Sequence, residues 1–349
     1  MCADDPRCSC DQWHRDPRRA GLGRGLARVP GFSAYEARCL ETSAGWAGPG
    51  YATTHQVTFV RSGAYLMRIN GRETFVDATS VVVYRPGDEV AVAHPIGCGD
   101  TFTAVELDAG LLERRPDWAD ALGASAHADL VTDDALDLAH RFLIAACRRG
   151  VDGFEAAERL NDLVDRVLTT RIAQRGPDRR RPQTRATHRR LAARAQALLV
   201  DGGYAVGLDD VAGLLGYSPH HVSRVFRAVT GETLTAYRNR LRVRAVLTDL
   251  QDGAACLRTL AAEYGFADQA HLVRVMRRYV GQSPARLRAA LLAPAPWGLC
   301  QSARSSRGGV QGAIRQGGVS SGYRCCIRAE RQRRRSSSGP AAGRPDTLT

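Results

Sequence analysis

A chain of 349 residues that is 44% hydrophobic has room for two or three domains with real cores. Its basic charge is carried by 49 Arg and no Lys, against 36 acidic residues, for a formal net charge of +13. No run of 18 apolar residues occurs and the N-terminal "MCADDPRCSCDQWHRDPRR" has no apolar core, so a membrane span and a secretory signal are excluded and a cytoplasmic protein without a membrane partner is expected.

The charge is unevenly placed. Residues 1–173 hold 19 Arg and 25 acids, a net of −6, whereas residues 187–292 hold 15 Arg and 8 acids, a net of +7. An acidic half joined to a basic half suggests that the second half meets a polyanion, although residues 293–349 carry a further +8 of the excess. The ten cysteines are scattered, with Cys2, Cys8 and Cys10 in a polar leader, Cys300, Cys325 and Cys326 in a polar tail, and Cys39, Cys98, Cys147 and Cys256 single. Such placement predicts small buried hydrophobes or unpaired surface thiols, with no disulfide framework and no metal site.

In chain order, residues 1–28 show no period and read as a disordered leader. Residues 29–108 read as β structure. "AYLMRI" and "RETFV" flank Asn70-Gly71, the favoured pair for a two-residue type I′ turn, and alternation puts Tyr65, Met67 and Ile69 on one face. "HQVTFV", "SVVVY", "VAVAHP" and "TFTAVEL" are further strands, with "RPGDE" a turn, which predicts a small antiparallel sandwich or barrel. Trp46, Tyr51, Phe59, Tyr65, Phe75, Tyr84 and Phe102 either fill its core or line a pocket. Residues 109–173 switch to helical period, with stripes at Leu136, Ala139, Leu143 and Ala146 and at Leu160, Leu163, Val164 and Val167. These stripes cover the domain's own core or pair with a second copy, as in a homodimer. Residues 174–186 are an Arg- and Pro-containing linker, and helical pattern fills residues 187–292. The Ser/Gly/Arg-rich tail, residues 293–349, cannot bury a core and reads as a solvated segment or an out-of-frame extension.

Within residues 187–292 one phrase is written twice. Leu208, Val211, Ala212 and Gly216 match Leu257, Leu260, Ala261 and Gly265 at an offset of 49, and Val222, Arg224, Gly231 and Arg238 match Leu272, Arg274, Gly281 and Arg288 at 50. The second copy therefore has one extra residue in its turn. Each copy has the grammar of a helix-turn-helix. Gly216 permits the positive φ that ends a helix, Ser218 is an N-cap and Pro219 falls at N1; in the second copy Asp268 is the N-cap. Val222 and Phe226, and Leu272 and Met276, face inward. That leaves His220, His221, Ser223 and Arg224 in one copy, and Gln269, Ala270, His271 and Arg274 in the other, for a DNA major groove, where Arg suits guanine and Gln suits adenine. "LTAYRNRLRVRAVLTDL" between them reads as one long helix with Tyr237, Leu241, Ala245 and Leu250 on its apolar side and Arg238, Arg240, Arg242 and Arg244 decorating the rest. Its length, roughly 26 Å, could set two readers near the ~34 Å spacing of successive major-groove faces.

Residues 187–292, through "LDDVAGLLGYSPHHVSRVFRAVTGETLTAYRNRLRVRAVLTDL" and "LRTLAAEYGFADQAHLVRVMRRYVGQSPARLR", resemble the DNA-binding domain of the AraC family of transcription regulators. The resemblance implies a sequence-specific regulator, an activator among its expected roles, with double-stranded DNA and RNA polymerase as partners. It also implies a cupin-like sensor barrel at residues 29–108 that binds a small-molecule effector, an α+β chain overall, and neither catalytic residues nor a cofactor. Two features depart from the family pattern: Ala270-His271-Leu272 replaces a Ser-aromatic-Phe run, and Met276 replaces the usual Phe, which puts base preference of the second copy in question. Two other classes compete. A nonspecific or architectural DNA-binding protein would bind without regard to sequence and weaken steeply with salt. A cupin-type metal enzyme fused to a DNA-binding domain would want two His one residue apart, whereas the barrel region offers only the separated His55 and His94.

Overall fold

A computed structural model describes residues 23–97, 99–123, 129–173, 182–202, 204, 206–254 and 256–292. The leader up to residue 22, residues 174–181 of the expected linker and the tail from residue 293 lie outside them.

The described residues hold ten strands: β1 (Arg24–Val29), β2 (Phe32–Arg38), β3 (Ala47–Tyr51), β4 (His55–Ser62), β5 (Ala64–Ile69), β6 (Arg72–Asp77), β7 (Ser80–Tyr84), β8 (Glu89–Ala93), β9 (Thr101–Leu107) and β10 (Asp129–Val131). They make two antiparallel sheets, ordered β1-β2-β9-β4-β7-β10 and β3-β8-β5-β6. Period-2 alternation explains the layering. Val82 and Tyr84 face the second sheet and meet Tyr65, Met67, Ile69 and Val76. Val81 and Val83 point the other way, with Val57, Phe59, Val105 and Leu107, into a second core closed by helices. The β5–β6 hairpin closes as expected, Ile69 opposite Arg72, with Asn70 (φ 49) and Gly71 (φ 76) left-handed in its turn. Two boundaries change. β1 begins at Arg24, inside the segment read as a disordered leader, because pairing with β2 outweighs its weak local pattern. β10 lies within the segment read as helical and adds to the edge of β7.

The helices that close the second core are α1 (Ala109–Arg114), α2 (Pro116–Gly123), α3 (Asp134–Arg148) and α4 (Gly153–Ala173). Leu136 and Leu143 of α3, and Leu160, Leu163, Val164 and Val167 of α4, are buried against the sheet. Those stripes lie in the domain's own core.

The remaining helices are α5 (Pro182–Asp201), α6 (Leu208–Leu215), α7 (Pro219–Thr230), α8 (Leu234–Gln251), α9 (Leu257–Glu263), α10 (Gln269–Val280) and α11 (Pro284–Leu292). Helix α5 takes in residues 182–186 of the expected linker, with Pro182 at its first position, where a proline fits. They form two small cores. One joins α5, α6 and α7 to Leu234, Tyr237 and Leu241; the other joins α9, α10 and α11 to Val243, Val246, Leu247 and Leu250. Helix α8 is thus shared, its N-terminal half in one core and its C-terminal half in the other. Among the described residues no helix is long and apolar enough to cross a membrane.

Candidate nucleic-acid interface and sensor pocket

The two helix-turn-helix units are built from the same local chemistry. Helix α6 ends at Gly216 with φ +74, and its N–H reaches back to Ala212 and Gly213. Ser218 then caps α7, its hydroxyl accepting from the His221 N–H at 3.3 Å, and Pro219 opens the helix. In the second unit Gly265 is again left-handed, and the Asp268 carboxylate accepts from the His271 N–H at 2.6 Å. The first residues of α7 and α10, Pro219 and Gln269, stand at the offset of 50, so the extra residue lies in the second turn, where Phe266 is buried. Val222, Phe226, Leu272 and Met276 are each at most 1% exposed, so burial orients both helices as the pattern requires.

The solvent faces carry the expected readers. His220 and Arg224 on α7, and Gln269, Ala270 and Arg274 on α10, are exposed; His221, Ser223 and His271 are half-buried. Among the described residues neither Arg224 nor Arg274 has an ion-pair partner. The two histidines are less free. His221 stacks on Tyr217 at 5.1 Å between ring centroids. His271 packs edge-on against Phe266, and its Nδ1 accepts from the Ala267 N–H at 3.2 Å. The added residue in the second turn thus occupies one nitrogen of a candidate reader.

The arginines of α8 are where the structure departs most from expectation. Arg242 and Arg244 are 5% and 2% exposed, so they do not decorate a free surface. Arg238 and Arg242 donate to the Val206 and Tyr204 carbonyls, closing the α5–α6 loop onto α8. Arg244 points into the sheet domain. It donates to the carbonyls of Ala78 at 2.8 Å, Thr132 at 3.0 Å and Asp133 at 3.2 Å and lies 3.8 Å from the Asp137 carboxylate. Burial lowers its pKa, opposed by Asp137 and Asp134. Asp137 is pushed up by burial, but Arg141 and Arg244 together hold it below the usual carboxylate range. Around this pair, Tyr237 donates to Asp77, Arg240 to the Thr132 carbonyl, Thr248 to the Arg61 carbonyl, and Gln251 to the Arg141 carbonyl. Positions 237, 240, 244, 248 and 251 recur at helical spacing, so one stripe of α8 is a polar seam against the sheet domain. The sequence pattern puts Tyr237 on the apolar side and the arginines toward solvent, because the partners of this stripe, from β4, the β6–β7 turn, the β10–α3 loop and α3, are distant in the chain.

The sheet domain also holds an open cavity of about 880 Å³, counted out to its mouth, between its two sheets. Tyr51, Tyr65 and Tyr84 line it, with Gln56, Cys39, His94, Asp100 and Glu106. Of the other aromatics weighed for this role, Phe59 stacks on His140 in the helical core, Phe102 packs with Ala37 and Ala104, and Trp46 lies under the Arg68 guanidinium. Burial raises the Asp100 carboxyl above its ordinary value, opposed by its hydrogen bond from His94. No Arg lines the cavity among the described residues, so its polar character is acidic and phenolic.

Comparison with known proteins places these elements. A family described as "Helix-turn-helix domain" matches residues 211–290. "Probable transcription factor PqrA" of Proteus vulgaris is 30% identical over 83 residues, which are 24% of this chain and 68% of that protein. "HTH-type transcriptional activator AarP" of Providencia stuartii is 32% identical over 83 residues, again 24% of this chain, and the match spans 62% of that protein. Among solved structures, ToxT from Vibrio cholerae O395 aligns over 76% of this chain and 99% of its own length, at 10% identity and a TM-score of 0.32.

Proposed function

The chain belongs to the AraC family of DNA-binding transcription regulators, and on that premise we propose that α7 and α10 read successive major-groove faces of one DNA site under control of a small molecule held between the sheets. The observation that carries this reading is the shared helix α8. It enters both helix-turn-helix cores, so the two readers are held by one rigid element rather than by a flexible joint. Eighteen residues of helix span roughly 27 Å, which suits readers one turn of DNA apart. Arg224 and Arg274 are assigned base or phosphate contacts, with His220, His221, Ser223, Gln269, Ala270 and His271 beside them and the capped N-termini at Ser218 and Asp268 toward the phosphates.

Control is routed through the strands that line the cavity. Gln56 on β4 and Tyr84 on β7 lie at the cavity, while Arg61 on β4 and Asp77 and Ala78 before β7 meet α8. A ligand that shifts these strands biases the seam and, through α8, both readers. The acidic, Arg-free lining suits a neutral or cationic effector over an anionic one. The reading assigns no catalytic step, and RNA polymerase is its protein partner at a promoter. Footprinting of the full chain on selected duplexes tests it: two protected major-groove faces about one turn apart are expected, and uniform protection independent of sequence would refute it.

A further inference from the structure

Cys39, His94 and Asp100 meet at the wall of the cavity although they come from three separate segments. Main-chain pairing brings the first and last together. Arg38 pairs with Thr101 at the end of β2 and β9, and the Cys39 N–H donates to the Asp100 carbonyl at 2.8 Å. Gly99 makes this approach possible, since a Cβ there would lie 1.9 Å from the Cys39 carbonyl oxygen. His94 leaves β8 with its own N–H held by the Ser43 carbonyl at 2.8 Å. The ring then turns its Nε2 to Asp100 Oδ1 at 3.0 Å. One ligand atom from each of the three residues lies within 4.8 Å of the others, and the residues are 5%, 1% and 3% exposed.

Two polar atoms of this cluster, His94 Nδ1 and Asp100 Oδ2, are buried without a hydrogen-bond partner among the described residues. A buried polar atom without a partner is costly, and a bound cation is one way to satisfy it. We infer that Cys39 Sγ, a ring nitrogen of His94 and a carboxylate oxygen of Asp100 bind one divalent transition-metal ion, of which Zn²⁺ is the type. Bond lengths of about 2.0–2.3 Å to S, N and O place tetrahedral ligand atoms roughly 3.3–3.7 Å apart, so the cluster, whose ligand atoms lie within 4.8 Å of one another with His94 and Asp100 at 3.0 Å, reaches a coordination sphere by shifts of at most about 1.5 Å. Thiolate and imidazole beside one carboxylate select zinc, cobalt or nickel over magnesium or calcium. On binding, the Cys39 thiol gives its proton to solvent and the metal takes the place of the His94–Asp100 hydrogen bond. Three protein ligands leave a fourth position facing the cavity, open to water or to a donor atom of a cavity ligand. The sequence hid this set because its members are spaced by 55 and 6 residues, with Cys39 and Asp100 joined by the β2–β9 pairing and His94 brought from the end of β8 in the other sheet.

The test uses the chelator-stripped full chain titrated with Co²⁺, without DNA, so that its outcome is independent of the DNA reading. One equivalent is expected to give tetrahedral d–d bands with a near-UV sulfur-to-cobalt band, displaced by Zn²⁺. Cys39→Ser removes the sulfur band and weakens binding by about 100-fold or more, and Asp100→Asn weakens it at least about tenfold. Near-UV circular dichroism reports whether each variant is folded, and Asp100→Asn decides the matter where Cys39→Ser is not. Absence of stoichiometric cobalt on the folded wild-type chain overturns the assignment, as does an unchanged spectrum in the folded variant, which would place the metal on other cysteines.

Discussion

Arg224 and Arg274 occupy equivalent positions on two helices whose surroundings differ. In the first unit His221 stacks on Tyr217, whereas in the second His271 accepts from the Ala267 N–H, which occupies one of its ring nitrogens. Arg224→Ala is expected to cost about 1–3 kcal/mol of binding to the selected site and to relax preference at one base position. Arg274→Ala is expected to cost less, and quantitative gel-shift or fluorescence titration of both variants measures the difference. These positions were legible in the sequence because a helix-turn-helix is local: its cap, its glycine and its inward pair all fall within twenty residues. His140 was not legible in this way. It is 2% exposed, stacks on Phe59 at 4.3 Å, and has its Nε2 buried without a partner among the described residues. Burial holds its pKa well below the ordinary value, with Asp137 opposing and Arg61, Arg141 and Arg244 reinforcing the shift. The folded state therefore keeps His140 neutral at pH values where the unfolded chain protonates it. Its contribution is complete above about pH 6.5 and declines as the pH falls, because the unfolded state then binds the extra proton. Denaturation followed from about pH 8 to pH 5 is expected to show this loss, and His140→Leu to flatten the slope.

Helix α8 is the element on which the DNA reading depends. Its propensity and length were plain from the sequence, and so was its apolar side through Tyr237, Leu241 and Leu250, each at most 2% exposed. The third surface was hidden, because an arginine in a pattern is normally solvent-facing, and it is the carbonyls of Ala78, Thr132 and Asp133, with the Asp134 and Asp137 carboxylates beside them, that make burial of Arg244 tolerable. The two-core arrangement predicts separable damage. Leu241→Ala opens the first core and Leu247→Ala the second, each at about 2–5 kcal/mol. Base preference at one half of the site is expected to blur in each case while the other half persists. Selection of bound duplexes by each variant, scored half by half, measures this.

Across the molecule, the sheet domain and the helix-turn-helix domain meet through a largely polar seam, with Leu138 of α3 adding an apolar contact. A buried pair such as Arg244–Asp137 adds little net stability when intact, but removing one partner leaves an uncompensated charge. Arg244→Ala is expected to lower the stability of the full chain by about 3–5 kcal/mol. Hydrogen exchange should rise together in α3 and α8, whereas a rise confined to α8 would argue against a seam that couples the two domains. The order of domains was readable from charge and period. The seam was not, because its contacts join residues more than 100 positions apart, as between Arg141 and Thr248. On the proposed reading, helix α8 carries both DNA readers as one rigid segment. Selection of random duplexes by the purified full chain, followed by titration of the selected and random duplexes over a range of salt, decides this. One asymmetric site with two sequence blocks about 10 base pairs apart is expected, the block read by α7 the better defined. Equal affinity for random and selected duplexes, falling together with salt, would rule it out.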